Sequence, residues 1–492
     1  MTALATSPDH LKPANGQCFG FAFTHLLISR NFKMTVPRKI IHAGIFFLFT
    51  LLIVFWIGRH IPPFQSPDEN AHLLRADMIA HGQWLLQSKN HDNGREGGMA
   101  DASFISFVRS LLNISGVEGD KTLTPDLLDK AENMRWSNED SFQNTAGTGY
   151  YLPIIYTPHA IGLFISRHLN LSMLGSYELT RALVVATALG IFTLAFSIRT
   201  PNALTLVLLL TPMSLFQLAS PTIDGISFAL TMLLISLWLS LSSPENEKND
   251  KSRLQQEFWL YICIFVLCTA RTNMLSTLLI PLVILKQQYS RKRAYSIALL
   301  YAVTLGWITF ATLTTYDARV VRSMSSLQIM VNYITNPQEF FTLLQNTLRN
   351  TEIKKFYQES YIGILGWLDT PIPKNSVSIL SAAIILILIF TALTTRWREA
   401  LPTRITAFSV GGISAILIFF ALAVTWNLYP AAKIDGVQGR YFIIPTLFLA
   451  AAFGHIKSQA VKYKPLEIIA VTAFGIYSIH ALLTTLSAQY KM

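Results

Sequence analysis

Residues 40–58 read IIHAGIFFLFTLLIVFWIG, a run that contains no acidic or permanently basic side chain. A helix needs about 20 apolar residues to cross a hydrocarbon core about 30 Å thick, and this run has that length. None of the similar runs in the chain shows the strict alternation of a barrel strand, so the sequence predicts transmembrane helices. The clearest of these further runs are residues 294–315, 376–394, 404–425 and 466–487.

The composition of the chain agrees with a membrane protein. Of 492 residues, 51% are hydrophobic and 14% are charged, and the formal net charge is +11. In a soluble protein that charge would suggest nucleic acid, but the basic residues here lie in short loops between apolar runs, as the positive-inside rule requires. We therefore expect membrane lipids and no nucleic acid as partners. Cys18, Cys263 and Cys268 show no metal-site spacing.

The apolar runs and basic loops predict an all-α polytopic bundle with about eleven or twelve spans. Arg38 and Lys39 place the N-terminal segment, residues 1–39, in the cytoplasm. Residues 40–492 then form one transmembrane domain, whose segments 59–150, 316–375 and 426–440 are predicted to be periplasmic. The predicted spans are 40–58, 177–197, 202–219, 223–241, 257–270, 272–286, 294–315, 376–394, 404–425, 441–456 and 466–487.

Three segments need separate interpretations. Residues 1–33 are polar and precede Met34, which begins the basic lead MTVPRKI, so we expect translation to start at Met34 and residues 1–33 to be dispensable. Segment 151–168 carries two prolines and a charged end, which indicates a re-entrant or interfacial helix; if it crosses, the chain has twelve spans. Asn336 and Pro337 indicate the start of an amphipathic helix that lies in the membrane interface.

The first candidate site follows the first span. Ser66, Pro67 and Glu69 match a capping box with proline at the first helical position, so Glu69→Gln should change stability by less than about 1 kcal/mol. Asp68 is optional for capping. On a helix, Asp68, His72 and Arg75 share one face, which would present a carboxylate, an imidazole and a guanidinium at the membrane surface.

Two further outer segments hold polar residues that could act chemically. Asp224 lies in a short turn between two apolar spans, where it either faces water or protein or simply caps the next helix. Arg440 stands at the outer edge of a span, between Gln438 and Tyr441. Arginine suits phosphate recognition and Gly439 lets a ligand approach the backbone, although a snorkelling arginine beside a belt tyrosine explains the same pattern.

Arg181, Arg271 and Asp369 also stand at span ends or in outer loops, and the residues alone assign them no role. His42 and His480 lie in apolar runs, where packing is the commoner role of histidine. The sequence contains no phosphate-binding P-loop, dinucleotide fingerprint or zinc-protease motif.

Six motifs in order give the chain a resemblance to a known family. The stretches SPDENAHLLRADMIAHGQ (66–83), YLPIIYTPHAIG (151–162), YELTRAL (177–183), PMSLFQLASPTIDG (212–225), LGWLDTPIP (365–373) and GVQGRYFIIP (436–445) together resemble the bacterial membrane proteins grouped as domain of unknown function 2142. That family resembles, more distantly, the GT-C superfamily of membrane glycosyltransferases. The resemblance implies a GT-C-like fold and a sugar donor linked to polyprenyl phosphate.

The same resemblance suggests roles for particular residues. It implies that the acid of the first outer loop, Asp68 with Glu69 beside it, is catalytic, and that Asp224 helps to bind substrate or, with Asp68, a divalent metal such as Mg²⁺ or Mn²⁺. The Gln438–Tyr441 stretch would hold the donor phosphate. The substrate-binding set would comprise His72, Arg75, Arg181, Asp224, Asp369, Gln438, Arg440 and Tyr441. The chain lacks the Lys-Pro-Pro motif of the best-known GT-C branch before segment 152–168, which leaves the sugar and the metal open.

These expectations combine into one enzyme hypothesis with two rivals. The chain would transfer a sugar, with inversion, from a polyprenyl-phosphate donor to a cell-envelope glycan or lipid at the outer face of a bacterial inner membrane. An O-antigen polymerase or ligase would also use an outer arginine but would not need Asp68. A flippase or transporter of lipid-linked sugars would place polar residues near mid-membrane. The enzyme hypothesis predicts that Asp68, Asp224 and Arg440 lie close together.

Overall fold

The computed structural model describes residues 36–89, 94–112, 124–243, 250–316, 324–454 and 465–490, with side chains from residue 42 onward except those of residues 146 and 250. The expectations for residues 1–33 lie outside these ranges. Within them the chain is mainly helical, and its strands form two short antiparallel pairs.

The first part of the chain is one apolar helix followed by short helices and a hairpin. Strands β1 and β2 pair from Gly97 with Asn144 to Asp101 with Asp140. The last helix here, α5, has 12 residues and follows a 3₁₀ turn, so segment 151–168 is not one continuous helix of spanning length. In order, the elements are α1 (Val36–Gly58), α2 (Glu69–Ala80), β1 (Gly97–Asp101), α3 (Ala102–Leu112), α4 (Pro125–Asn133), β2 (Asp140–Asn144) and α5 (Thr157–His168).

The remainder of the chain alternates long apolar helices with short ones. Short 3₁₀ turns precede several of them, including Pro153–Tyr156 before α5, Thr272–Leu278 and Gly439–Phe442. The elements are α6 (Met173–Ile198), α7 (Ala203–Leu209), α8 (Pro212–Ala219), α9 (Ile223–Leu241), α10 (Asp250–Ala270), α11 (Leu279–Gln287), α12 (Arg291–Thr314), α13 (Ser326–Thr335), α14 (Pro337–Arg349), α15 (Thr351–Ile362), β3 (Ile364–Leu365), β4 (Thr370–Pro371), α16 (Lys374–Thr394), α17 (Leu401–Thr425), α18 (Ile443–Ala451) and α19 (Pro465–Gln489).

Six helices of the described chain are long and apolar enough to cross a membrane: α6, α9, α12, α16, α17 and α19. The predicted class, an all-α polytopic membrane protein, is confirmed. Helix α9 is the centre of the bundle, because every residue in it except Leu230 is buried. Burial on all sides means that other parts of the protein, and not lipid, surround this helix.

Several predicted spans are interrupted rather than continuous. Span 202–219 is two helices, because Pro212 has no N–H to donate and disfavours helical geometry at the preceding residue. Thr211 caps the second helix by accepting a hydrogen bond from Ser214 N at 3.2 Å. Spans 272–286 and 441–456 likewise consist of a 3₁₀ turn followed by a helix of nine residues, α11 and α18.

The segments that were predicted to share one side of the membrane lie at one end of the bundle. Segments predicted to be outside touch one another: Trp367 Nε1 donates to Phe64 O at 2.9 Å, and Ile434 N donates to Thr347 Oγ1 at 2.9 Å. At the opposite end, Arg293 donates two 2.8 Å hydrogen bonds to the Glu257 carboxylate. The three predicted outer segments therefore meet at one end of the bundle.

Helix α14 begins at Pro337, as predicted from Asn336 and Pro337. Its apolar residues do not form one outward stripe, however. Phe340 and Leu343 are buried against the protein, whereas Phe341 is 55% exposed. Only the exposed part of the apolar surface is available to a membrane interface.

Candidate active site

Two arginines and two aspartates meet where the predicted outer segments join the bundle. Arg440 Nη2 donates to Asp68 Oδ2 at 2.7 Å, and Arg440 Nη1 donates to Asp224 Oδ2 at 3.3 Å. Arg271 donates through Nη2 to Asp224 Oδ1 and through Nε to Ser227 Oγ at 3.2 Å. Asp224 therefore lies between two guanidinium groups. We call Asp68, Asp224, Arg271 and Arg440 the arginine–aspartate cluster.

The cluster is buried on one side and open on the other. The exposed fraction of the side chain is 4% for Arg440, 11% for Asp224 and 17% for Arg271, but 50% for Asp68. Buried charges are tolerated when they are paired and hydrogen-bonded, which the two acids and two arginines achieve for one another. Asp68 is the member that a molecule arriving from outside would meet first.

The backbone at Asp68 directs its carboxylate to the cluster. Asp68 precedes α2 in the left-handed conformation, with φ at 66°, which aspartate tolerates better than most residues. In this position its side chain binds Arg440 instead of capping the helix. Non-glycine residues in such sparsely populated backbone regions occur preferentially at functional sites.

The predicted capping box is only half present. The helix begins at Glu69 rather than at Pro67, and Ser66 N donates to Glu69 Oε2 at 3.1 Å. The Ser66 hydroxyl, however, donates to Gln217 Oε1 at 3.3 Å. Ser66 therefore joins the first outer loop to α8 instead of capping α2.

Glu69 is a structural acid. It is fully buried, and its Oε1 accepts from Phe64 N at 3.1 Å and from the Tyr177 hydroxyl at 2.5 Å. Burial raises the pKa of Glu69, and the hydrogen bond from Tyr177 acts in the opposite direction. The catalytic assignment of Glu69 does not agree with this burial, because no reacting group could reach the carboxylate.

Arg181 supports the same loop. Its guanidinium donates to Gly58 O, and to Ile61 O at 3.1 Å, and it stacks on the Tyr177 ring at 4.6 Å. Only 2% of its surface is exposed. The predicted substrate-binding role of Arg181 is therefore replaced by a structural one: it holds the carbonyl groups at the end of α1.

His72 lies beside the cluster, and Arg75 does not. His72 Nδ1 is 2.9 Å from the Tyr156 hydroxyl, and its ring centroid is 6.0 Å from that of Tyr151. Burial lowers the pKa of His72 to about 4, although the negative charge of Asp68 acts in the opposite direction. Arg75 instead donates to Gln83 O at 2.9 Å and to Trp84 O at 2.5 Å, closing the turn after α2.

The segment around Arg440 holds its guanidinium from the other side. Gln438 Oε1 accepts from Arg440 Nε at 2.8 Å, and the Tyr441 ring lies 5.2 Å from Arg440 Cζ. Gly439 is required by close packing, because a Cβ there would collide with the backbone of α15 at Tyr357 and Tyr361. The expectation that Gly439 admits a ligand is wrong: the approaching backbone belongs to a helix of the protein itself.

Asp369 lies in a segment that contacts the first outer loop. Its Oδ1 accepts from Thr370 Oγ1 at 3.0 Å, and its neighbour Trp367 donates to Phe64 O at 2.9 Å. These contacts place Asp369 in the strand-like turn between β3 and β4. The predicted substrate-binding role of Asp369 stays a prediction.

The residues of the cluster do not fit a divalent metal as they are arranged. The predicted ligands, Asp68 and Asp224, are already paired with guanidinium groups, which would repel a metal cation placed between them. Within the described ranges, no group of three or more His, Cys, Asp or Glu side chains could hold a metal ion. We therefore assign no chemical step to a metal.

Sequence reasoning brought Asp68, Asp224 and Arg440 together correctly and gave Arg271 and Tyr151 no role. Arg271 follows the last residue of α10 and pairs with Asp224. The available signal was its position, since an arginine at the predicted outer end of a span departs from the positive-inside bias just as Arg440 does.

Fold and site together define a polytopic α-helical membrane protein with a buried arginine–aspartate cluster at one end of its bundle. Residues 46–449 match the family described as "Predicted membrane protein (DUF2142)". This chain belongs to that family. A comparison with curated proteins found no match.

Two solved structures show weaker likeness. One is ArnT from Cupriavidus metallidurans bound to undecaprenyl phosphate, at 15% identity and a TM-score of 0.36, covering 83% of this chain and 59% of the ArnT chain. The other is ArnT from the same organism in the apo state, at 11% identity and a TM-score of 0.28, covering 92% and 78%. In the first alignment this chain thus spans under two thirds of ArnT. Both TM-scores are too low to establish a shared fold.

Proposed function

We propose that the protein is a membrane glycosyltransferase that moves a sugar from a polyprenyl-phosphate carrier to a cell-envelope glycan or lipid, at the outer face of a bacterial inner membrane. The observation that carries this proposal is the arginine–aspartate cluster. It joins a half-exposed carboxylate to two buried guanidinium groups within one set of hydrogen bonds. A base and an anion-binding group are the two components that such a transfer needs.

The two arginines would hold the donor phosphate. A guanidinium presents its N–H groups in a planar fork that matches phosphate oxygens. Arg271 and Arg440 both contact Asp224, so one acid keeps the two forks together. A phosphate that entered from the Asp68 side would replace the Asp68 carboxylate as the partner of Arg440. Asp224 would remain bound to both arginines and keep them in place.

Asp68 would be the general base. The acceptor hydroxyl oxygen attacks the anomeric carbon, the bond from that carbon to the phosphate oxygen breaks, and the hydroxyl proton passes to the Asp68 carboxylate. The bonding electrons leave with the phosphate, whose growing negative charge Arg440 and Arg271 stabilise. Attack opposite the leaving phosphate inverts the configuration at that carbon. The 50% exposure of Asp68 gives an acceptor access to the base.

A lipid-linked donor suits the position of the cluster. The cluster stands where apolar helices α9 and α10 meet the predicted outer segments, so a phosphate at membrane level could reach it while its tail stays in the bilayer. The proposed orientation, with a cytoplasmic N-terminus and an outer active site, follows from the basic loops between spans.

The test is a transfer assay. Purified protein is incubated with polyprenyl-phosphate sugars and envelope acceptors, and mass spectrometry detects the acceptor enlarged by one sugar. We expect transfer by the wild type and its loss in Arg440→Ala, with Arg398→Ala, an exposed arginine at the opposite end, as the matched control. Transfer by Arg440→Ala at the wild-type rate would contradict the proposal. Movement of the intact donor across vesicles without transfer would favour a transporter.

A further inference from the structure

A cavity lies apart from the arginine–aspartate cluster, in the predicted outer segment 316–375. It is a pocket of about 690 Å³ lined by the C-terminal end of α13, by the first three turns of α14 and by Ala431. Pockets that bind small molecules have volumes of about 300–1,000 Å³. The pocket is therefore large enough for a ligand of several sugar units.

The lining of this pocket is rich in uncharged hydrogen-bonding groups. Gln338, Thr342 and Asn346 line it from α14, where their four-residue spacing places them on one face of the helix. Asn336 lines it from the junction of the two helices, and Tyr333 contributes an aromatic ring. Amides and hydroxyls each offer donors and acceptors, which is the pattern that sugar hydroxyls match. We call this cavity the amide pocket.

The charge of the amide pocket distinguishes it from the cluster. Glu339 is the one charged residue among the side chains that line it, and its Oε2 accepts a hydrogen bond from Asn332 Nδ2 at 2.8 Å. No lysine or arginine of the described chain lines the pocket. A phosphate or carboxylate would find no cation here, so the chemistry favours an uncharged polar ligand.

One loop connects the amide pocket to the cluster. Asn332 Nδ2 donates to the Tyr429 hydroxyl at 2.6 Å, and Thr347 Oγ1 accepts from Ile434 N at 2.9 Å. The same loop then reaches Gly439, whose N–H donates to Ser360 Oγ at 2.8 Å, and Arg440 follows. Both helices that carry the pocket are thus fixed to the segment that carries the phosphate-binding arginine.

From this arrangement we propose that the amide pocket binds a neutral oligosaccharide, and that this is the part of a glycan acceptor remote from the transfer site. The second half of the statement rests on the proposed transferase function. Binding in the pocket would retain a long acceptor while its end reaches Asp68. The acceptor class is then a glycan rather than a simple lipid.

The test measures binding separately from transfer. Saturation-transfer NMR is recorded on the detergent-solubilised full chain with maltopentaose, cellopentaose and chitopentaose as neutral probes. We expect saturation of at least one probe with the wild type, and a Kd about 3–10-fold weaker for Asn346→Ala, as the loss of one or two hydrogen bonds predicts. Gln345→Ala, an exposed neighbour outside the pocket, is the matched control and should bind as the wild type does.

The outcomes separate this inference from the proposed function. If no probe is saturated, or if Asn346→Ala and Gln345→Ala bind alike, the amide pocket is not a saccharide site. Asp68→Asn should bind the probe like the wild type, because Asp68 is not part of the pocket lining. Probe binding by a wild-type protein that shows no transfer activity would contradict the enzyme proposal and leave the saccharide site intact.

Discussion

Asp68 and Glu69 are adjacent acids with opposite environments. Glu69 is fully buried and accepts hydrogen bonds from Phe64, Ser66 and Tyr177, whereas the Asp68 side chain is half exposed and binds Arg440. The left-handed backbone at Asp68 causes the separation, because it turns one carboxylate toward the cluster while the next continues into α2. Two acids in one motif are thus placed differently: Asp68 is accessible for the proposed chemistry, and Glu69 stabilises the loop that positions it.

The largest expected effect is at Asp68. Asp68→Asn removes the proton acceptor, and the loss of a general base costs about 10²–10⁴-fold in rate. Because half of this side chain is exposed, the melting temperature in detergent should stay near that of the wild type. The measurement pairs the transfer rate with the melting curve. Full activity in Asp68→Asn would show that another group is the base.

The next effect is expected at Arg271. Lysine keeps the positive charge but cannot contact Asp224 and Ser227 through separate nitrogens, so Arg271→Lys should lower kcat about 10–100-fold. Arg253→Lys, toward the opposite end of α10, is the matched control for a buried arginine in an ion pair. Equal rates for the two variants would show that Arg271 does not contribute to the reaction.

Glu69→Gln should act on stability instead of chemistry. An amide nitrogen cannot accept, so at least one of the hydrogen bonds from Phe64, Ser66 and Tyr177 is lost, at a cost of about 1–3 kcal/mol. This exceeds the change that the capping box predicts. Glu178→Gln, whose partly exposed carboxylate lies 3.4 Å from Arg181, is the control and should cost less. Thermal unfolding of both variants at pH 7 measures the difference, and equal melting temperatures would contradict the structural role of Glu69.

The last effect concerns the pH dependence of stability and is expected at His72. Its pKa is about 4 in the folded protein and 6.5 ordinarily, so between these values the unfolded chain binds a proton that the folded chain does not. Above pH 6.5 His72 is neutral in the folded and the unfolded chain and costs no stability. As the pH falls toward 4, the free energy of unfolding decreases by up to about 1.4 kcal/mol per pH unit. The melting temperature of the wild type should fall toward that of His72→Gln as pH decreases. A difference that stays constant across this pH range would indicate that burial does not lower the pKa of His72.

The sequence was sufficient for features that depend on pattern. Long apolar runs predict membrane helices because the bilayer sets their length, and the basic loops correctly place Asp68, Asp224 and Arg440 at one end. Pairing across the bundle is different, since the partner of Arg271 lies 47 positions away in the sequence. Composition contains no information about such contacts.

Local motifs were least reliable where tertiary contacts compete with them. The Ser66–Glu69 pattern matches a capping box, but Gln217 of α8 takes the Ser66 hydroxyl. Gly439 was expected to let a ligand approach the backbone, but α15 occupies the space beside it. In both cases a residue more than 75 positions away decides the local geometry, and that residue is visible only in the fold.

The bond between Arg440 and Asp68 has a kinetic consequence for the proposed reaction. While Arg440 Nη2 holds the carboxylate, Asp68 is a weak proton acceptor, because a neighbouring guanidinium favours its ionised form. A donor phosphate that accepts the hydrogen bond from Arg440 Nη2 would release the Asp68 carboxylate from it. The base would then gain strength only after the donor has bound, and the acceptor would react second in a compulsory order. In the absence of acceptor, the donor-bound protein would then hydrolyse its donor slowly, because water can take the place of the acceptor hydroxyl.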